Sequence, residues 1–275
     1  MKLTDVSKTA ITTSLRSHVL ESQKNNPIIN DPMAKFCLDK LVLLASEDEK
    51  VLLFDRKLSS VLTNHIAIRA RKYDAIANDF ISKNPGCTVI NLGCGFDTRY
   101  WRIDNKNCVY FDLDLPELIE IKKEILKDHL EYDLIGCSVI DPAWIDRVTS
   151  KGSRNFLLLA EGLFMYLPKT DVINLFKIIS ERFHHSQIAL EVVIEKYTRG
   201  IWKQVLALKM KYELGLGIDS PFNFGIKNTL ELETYGKGIK VIDEWVYSED
   251  PDISPRIMKY LIPARDQWTI TATIN

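Results

Sequence analysis

The sequence predicts an α/β fold, a mostly parallel sheet covered on both faces by helices. Two observations carry that prediction. From about residue 86 onward, short runs rich in Val, Ile, Leu and Phe alternate with amphipathic segments, the rhythm of repeated strand-helix units. The first of those runs ends in a glycine turn, Gly93-Cys94-Gly95, and open parallel sheets bind ligands outside the carboxyl ends of their strands. Composition agrees, since 46% hydrophobic and 27% charged residues in a chain of 275 can bury a sizeable core. The 36 Lys and Arg against 37 Asp and Glu give a formal net charge of -1, which removes the electrostatic footprint of a nucleic-acid binder.

Taken in order, residues 1–85 read as a helical N-terminal cap without a strand. Their opening stretch, MKLTDVSKTAITTSLRSH, has no apolar signal core, and nothing in the chain approaches the roughly 18 uncharged apolar residues of a membrane span. A cytoplasmic protein off the membrane is expected. Within the cap, a helix from about Ser59 to Lys83 sets Leu62, Ile66, Tyr73, Ile76 and Phe80 along one stripe, with Arg69 filling its gap. Pro85-Gly86 marks the composition shift into the second part, 86–275. Thr88 to Leu92 is the first strand and Cys108 to Leu113 the second. Asp114 is a natural N-cap for the helix that follows, with Pro116 near its first position and Leu118, Ile121 and Ile125 as its stripe.

Further apolar runs follow at Ile135 to Ile140, Phe156 to Ala160 and Gln187 to Ile194, the last two separated by a helix from about Thr170 with Val172, Leu175, Ile179 and Phe183 on one face. Lys240 to Tyr247 and Trp268 to Ile274 are short and rich in β-formers, and read as a closing antiparallel pair. The segment 196–238 interrupts the rhythm with glycines and reads as an inserted lid of helix plus loop, a common place for substrate contacts. Its Tyr197, Trp202, Tyr212, Phe222 and Phe224 either line an aromatic cavity or pack the insertion. The five cysteines are odd in number and form no CxxC pair or Cys/His cluster, so they read as reduced thiols, and no metal site is expected.

Three sites carry chemistry. Gly93 and Gly95 permit a tight turn and a close approach of backbone to ligand, although a lone GxG also occurs in ordinary turns. About twenty residues on, Asp112 and Asp114 stand where an acidic side chain accepts from the hydroxyls of an adenosine ribose, and strand alternation puts both on one face. Asp114, nearer the strand end, is favoured. A dinucleotide loop needs Gly or Ala at its third fingerprint position, where this chain has Thr98 preceded by Asp97, a carboxylate that repels a diphosphate. The loop therefore favours S-adenosylmethionine over NAD. Arg69, a guanidinium in a buried stripe, must find an anion, either a core carboxylate or the carboxylate of the cofactor held in a two-pronged contact. Arg71, off the stripe, is expected to be solvated.

The segments VINLGCGFDTR at 89–99, YFDLDLPE at 110–117 and LLLAEGLFMYL at 157–167 together resemble the leucine carboxyl methyltransferase family, its tetracenomycin-type bacterial polyketide O-methyltransferases in particular. The likeness runs from about Thr4 through Asp31-Pro32 and the Arg69 helix to the Trp268 strand. It implies a class I S-adenosylmethionine-dependent methyltransferase fold, a Rossmann-like seven-stranded sheet whose last strand is antiparallel, behind a helical N-terminal cap. Carried over by the resemblance, Lys8 and Arg69 contact the methionyl carboxylate of the cofactor, Gly93 forms the glycine loop, Asp114 binds the ribose and Glu161 also touches the cofactor. Tyr166 lines the reaction pocket. Many members have Asp-Leu against the adenine amine where this chain has Ser138-Val139, and a neutral serine oxygen is a weaker acceptor than a carboxylate.

The expected activity is S-adenosylmethionine-dependent O-methylation of a small-molecule carboxylate or hydroxyl. A carboxylate acceptor needs no base, whereas a phenol or alcohol gains from one, with His18 and His65 the candidates on the cap and His184-His185 read as structural. An NAD-dependent dehydrogenase and a catalytically inactive relative that binds adenosylmethionine are the alternative readings.

Overall fold

The computed structural model describes residues 11–55, 57–151, 154–214, 222–261 and 266–275. Helices α1 (Arg16–Ser22) and α2 (Pro32–Leu44) open the chain, followed by the long α3 (Ser60–Lys83). The sheet strands are β1 (Cys87–Leu92), β2 (Cys108–Asp114), β3 (Asp133–Gly136), β4 (Phe156–Ala160), β5 (Ser186–Val193), β6 (Ile239–Val246) and β7 (Gln267–Ile274). Between them lie α4 (Pro116–Leu126), α5 (Ala143–Thr149), α6 (Lys169–Arg182) and α7 (Gly200–Leu214).

The strands form one seven-stranded sheet in the order β3-β2-β1-β4-β5-β7-β6. Strands β1 to β5 are mutually parallel, and β7 enters antiparallel between β5 and β6. The expected closing antiparallel pair is present, with Ile239 opposite Ile274 at one end and Val246 opposite Trp268 at the other. All six residues of β1 and all five of β4 are buried, as central parallel strands covered on both faces must be.

One face of the sheet packs Ile90, Phe111, Leu158 and Leu190 against Trp144 and Ile145 of α5 and Val172, Phe176 and Ile179 of α6. The other packs Val89, Leu157, Leu159 and Ala189 against Tyr73, Ala77, Phe80 and Ile81 of α3. A third cluster joins α1 and α2 to the glycine loop and α4, through Leu15, Val19, Cys37, Leu41, Phe96, Leu118 and Ile125. The first helices therefore rest on the loop that follows β1, while α3 is itself a layer of the sheet.

Two local expectations are corrected. The third strand ends at Gly136, earlier than the apolar run to Ile140 suggested, because the chain turns there: Asp141 N–H donates to the Ser138 carbonyl at 3.0 Å, and the Val139 carbonyl accepts from Trp144 Nε1 at 3.0 Å. Asp114 is not the N-cap of α4. Leu115 holds that position without a side-chain cap, Pro116 is the first helical residue, and Asp114 closes β2. The five cysteines are free. No helix among the described residues is long and apolar enough to cross a membrane.

Candidate functional site

The carboxyl edge of β1 to β4 gathers most of the residues singled out in the sequence. Gly93 follows β1 at φ 64°, a left-handed backbone that favours glycine, and a Cβ there would stand 2.7 Å from Leu163 Cδ1 and displace that side chain. Two residues on, the Gly95 N–H donates to Asp114 Oδ2 at 2.8 Å, and the Leu115 N–H donates to Asp114 Oδ1 at 2.7 Å. Asp114 thus clasps the glycine turn from the neighbouring strand. Burial pushes its carboxyl up, against the opposing pull of these two N–H groups and of Lys122. Asp112, which alternation alone could not separate from it, is buried and holds Lys122 Nζ at 2.7 Å, the Tyr132 hydroxyl at 2.8 Å and Asn91 Nδ2 at 3.0 Å. It is a core carboxylate, and Asp114 is the one at the edge. Ser138 and Val139 lie in the turn after β3 on the same edge, Ser138 half-buried and Val139 buried.

Beneath the glycine loop lies a buried ion network. Arg69 Nε donates to Glu161 Oε1 at 2.7 Å, and its Nη1 donates to Glu191 Oε2 at 3.2 Å. Arg99, 1% exposed, bridges Asp74 at 2.9 Å, Asp97 at 2.6 Å and Glu161 at 2.5 Å. Arg102 reaches Asp74 at 2.7 Å, Asp31 at 2.6 Å and Asp97 at 3.1 Å. Asp31 in turn N-caps α2 through the Ala34 N–H at 3.0 Å and meets His18 at 2.9 Å and the Thr98 hydroxyl at 2.5 Å. Among the described residues, three guanidiniums face five carboxylates, a formal excess of negative charge. Burial pushes the Asp97 carboxyl up, but Arg99 and then Arg102 outweigh it and hold the group well below the usual range. Glu161 is lowered in the same way, burial being outweighed by Arg69 and Arg99.

The outcome for each predicted residue is specific. Arg69 has the core carboxylates that one of its two readings required, yet its side chain keeps 12% exposure at the edge of the site. Arg71, expected in solvent, keeps 35% of its side chain exposed and pairs there with Asp250 at 2.8 Å and Asp252 at 2.5 Å. Asp97, expected as a bare charge in the loop, is neutralised by Arg99 and Arg102. What disfavours a diphosphate is therefore the surplus charge of the whole network. His18 is committed to Asp31, His65 stacks edge-on against Tyr247 at 4.3 Å, and His184 and His185 are exposed. Lys8 lies outside the described residues.

On the other side of Glu161, the chain carries Tyr166, half-buried, with its ring 5.6 Å from that of Phe222. Burial, reinforced by Glu191, pushes the Tyr166 hydroxyl up to about 12. Phe222 belongs to a small cluster with Met165 and Val193, on which Tyr166, Tyr197 and Leu206 pack. The returning end of the 196–238 insertion is stitched there by Asn223 N–H to the Met165 carbonyl at 2.7 Å and Ile226 N–H to the Val193 carbonyl at 3.0 Å. Phe222 and Phe224 are core residues, Trp202 is 51% exposed, and the Tyr212 side chain is outside the described set.

Sequence reasoning missed Asp31, Asp74, Arg99, Arg102 and Glu191 as members of the site. Two left a signal. Asp74 interrupts a second buried stripe of α3, with Ala67, Ala70 and Ala77, and Glu191 is the one charge in the apolar run of β5. Apart from nearby Asp97, the carboxylates that Arg99 and Arg102 meet lie 25 to 71 residues away, which spacing cannot reveal.

Comparison with known proteins points the same way. A family model described as leucine carboxyl methyltransferase matches residues 11–180. The chain is 26% identical over 259 residues to the tetracenomycin polyketide synthesis O-methyltransferase TcmP of Streptomyces glaucescens, covering 91% of this chain and 86% of that one. It is 26% identical over 245 residues to the S-adenosyl-L-methionine-dependent methyltransferase dpfgK of Gibberella zeae, covering 86% and 81%. Among solved structures, a DUF574 family protein of Streptomyces avermitilis superposes with a TM-score of 0.56 at 12% identity, covering 98% of this chain and 100% of that one. Magnesium protoporphyrin IX methyltransferase of Synechocystis, solved with bound SAH, gives 0.50 at 11% identity, covering 82% and 92%.

Proposed function

The chain belongs to the leucine carboxyl methyltransferase family, and from that premise we propose that it methylates an oxygen of a small molecule, a carboxylate or a hydroxyl. It is an S-adenosylmethionine-dependent methyltransferase. The observation that carries the assignment of the site is the meeting, at one sheet edge, of the glycine turn, the Asp114 carboxylate that clasps it and the Arg69–Glu161 pair. The residues fit the cofactor. A negative surplus suits a cationic sulfonium and opposes a diphosphate, which weighs against the NAD reading.

In this reading Arg69, together with Lys8, holds the methionyl carboxylate, Glu161 contacts the same end, and the backbone at Gly93 and Gly95 approaches the adenosyl moiety. Asp114 accepts from the ribose hydroxyls, and Ser138 and Val139 meet the adenine. Tyr166 lines the acceptor pocket, with segment 196–238 as its lid. When bound, the cofactor supplies a methyl group on a sulfonium for in-line displacement, a step in which charge is neutralised. The protein contributes by fixing the acceptor oxygen on that line and excluding water from it. On the cap, His18 meets Asp31 through Nδ1, the contact by which a carboxylate orients an imidazole, and His65 packs edge-on against Tyr247. An acceptor that arrives already ionised needs no base, whereas a hydroxyl gains from one.

The test is isotopic. With the methyl group of the cofactor labelled, transfer to a panel of aromatic and aliphatic carboxylates and phenols is measured, and the product is treated with alkali. A methyl ester releases labelled methanol, whereas an ether retains its label. Transfer to no oxygen acceptor, in a protein that S-adenosylhomocysteine stabilises, would defeat the O-methyl reading.

A further inference from the structure

Arg69 is braced on two sides. Glu161 takes Nε at 2.7 Å, while Glu191 takes Nη1 with both oxygens, at 3.2 and 3.3 Å. Glu161 is shared with Arg99, so that contact by itself leaves the guanidinium able to pivot about Nε. Nη2 carries no hydrogen bond among the described residues. It faces Gly162, at φ 65°, where a Cβ would stand 3.9 Å from Nη2, 4.0 Å from Nη1 and 3.6 Å from Glu191 Oε2. The missing side chain keeps open a small space against which the free edge of the fork lies.

Glu191 is an unusual tenant of β5. It is 2% exposed, in a strand otherwise apolar over its last six residues, and burying a carboxylate is costly unless it is well paired. A second brace meets it from the antiparallel neighbour, since Gln267 Nε2 at the start of β7 donates to Glu191 Oε1 at 2.5 Å. Gln267 thus fixes Glu191, and Glu191 fixes the plane of Arg69.

We propose that Glu191, held by Gln267, is a positioning residue that locks the Arg69 guanidinium with Nη2 presented to the space beside Gly162, set to receive the carboxylate of the cofactor. This rests on the reading of Arg69 given above. A planar fork held in place before binding loses less conformational freedom when its ligand arrives.

The experiment compares two ligands by calorimetry, S-adenosylhomocysteine and 5′-methylthioadenosine, the second lacking the amino-acid end. Glu191→Gln weakens S-adenosylhomocysteine by about fivefold, the scale of one rotamer-rich side chain re-ordered on binding, and leaves 5′-methylthioadenosine within about twofold. Gln267→Leu does the same to a smaller extent. A purely structural role would shift both ligands together or only the unfolding midpoint. An unchanged or increased preference for S-adenosylhomocysteine in folded Glu191→Gln overturns the proposal, and if that variant does not fold, the same result in Gln267→Leu does so. Arg69→Lys separates the two failures. If it too leaves the preference unchanged, the role of Arg69 is wrong, whereas if it lowers the preference and the Glu191 and Gln267 variants do not, only the role of Glu191 falls.

Discussion

The two sides of Glu161 are built by different physics. Toward the glycine loop, buried guanidiniums and carboxylates from the cap, α3, the loop and the ends of β4 and β5 pair with one another. Toward Tyr166, the described part of the insertion is fastened by a compact apolar cluster, a few backbone hydrogen bonds and partly exposed ion pairs such as Lys196–Asp266 and Lys169–Glu231, both at 2.6 Å, and α7 leaves Ile201, Trp202, Val205 and Leu208 at least half exposed. The contrast teaches where change is tolerated. A buried charge network fails as a unit, because deleting one partner strands the others in a medium that cannot solvate them. An attachment of apolar contacts and partly exposed pairs loses only the contacts deleted, because water can still reach the groups left behind.

The most damaging way to probe this contrast is Arg99→Met, which leaves Asp74, Asp97 and Glu161 without their shared partner. A loss of about 3–5 kcal/mol is expected, read as a fall in the denaturation midpoint on urea titration, and a loss under 1 kcal/mol would show that the network is solvated. Next, Arg69→Ala raises the dissociation constant for S-adenosylhomocysteine at least about tenfold, equivalent to 1.4 kcal/mol, while the protein stays folded. Unchanged affinity would remove the cofactor role of Arg69. Gly93→Ala follows, costing about 1–2 kcal/mol for the left-handed backbone together with a displaced Leu163, measured by thermal unfolding.

Acid sharpens the comparison on the network side. Asp97 and Glu161 have folded pKa values below their unfolded ones, so their stabilisation is complete above the ordinary carboxylate range and is lost as pH falls through the folded values. An Arg102→Met variant should therefore unfold at a higher pH than wild type in an acid titration monitored by circular dichroism. An unchanged acid midpoint would contradict the pairing. The smallest effect belongs to the other side. Trp202→Ser, at a 51% exposed position, should change stability by no more than about 0.5 kcal/mol and leave cofactor affinity unchanged. Any effect there should appear in the Michaelis constant for the acceptor.

The same divide governs how much of the molecule the sequence disclosed. The seven strands and the helix that carries Arg69 follow from period and turn chemistry, and their ends fall within a few residues of expectation, most closely at β1 and β4, where burial on both faces demands continuous apolar runs. The third strand ended early because Val139 and Ile140 belong to a turn in which Val139 packs in the cluster of Trp144 while Ile140 is 42% exposed. At the site, Gly93 and Asp114 were legible from position alone, being tied to the strand ends that hold them. The choice between Asp112 and Asp114 was not, since alternation fixes a face and not a depth. The partners of Arg71 were hidden for a related reason. A helical wheel shows which way a side chain points, and it cannot show that Asp250 and Asp252 arrive from the far end of the chain to meet it.

Strand β7 has a consequence for the order in which the molecule can be assembled. It is the last strand reached along the chain, yet it lies between β5 and β6 in the sheet. As the polypeptide leaves the ribosome, β1 to β5 can pair as each is completed, since every partner they need within that set has already been made. Strand β6 emerges with no neighbour to receive it and waits for β7 to be inserted. Until then Glu191 lacks Gln267, so the last brace on Arg69 is set only when the sheet closes. Binding competence at the amino-acid end of the cofactor would then be acquired in the final step of folding, and a nascent chain that stops short of β7 would carry the glycine loop without a fully fixed arginine beside it.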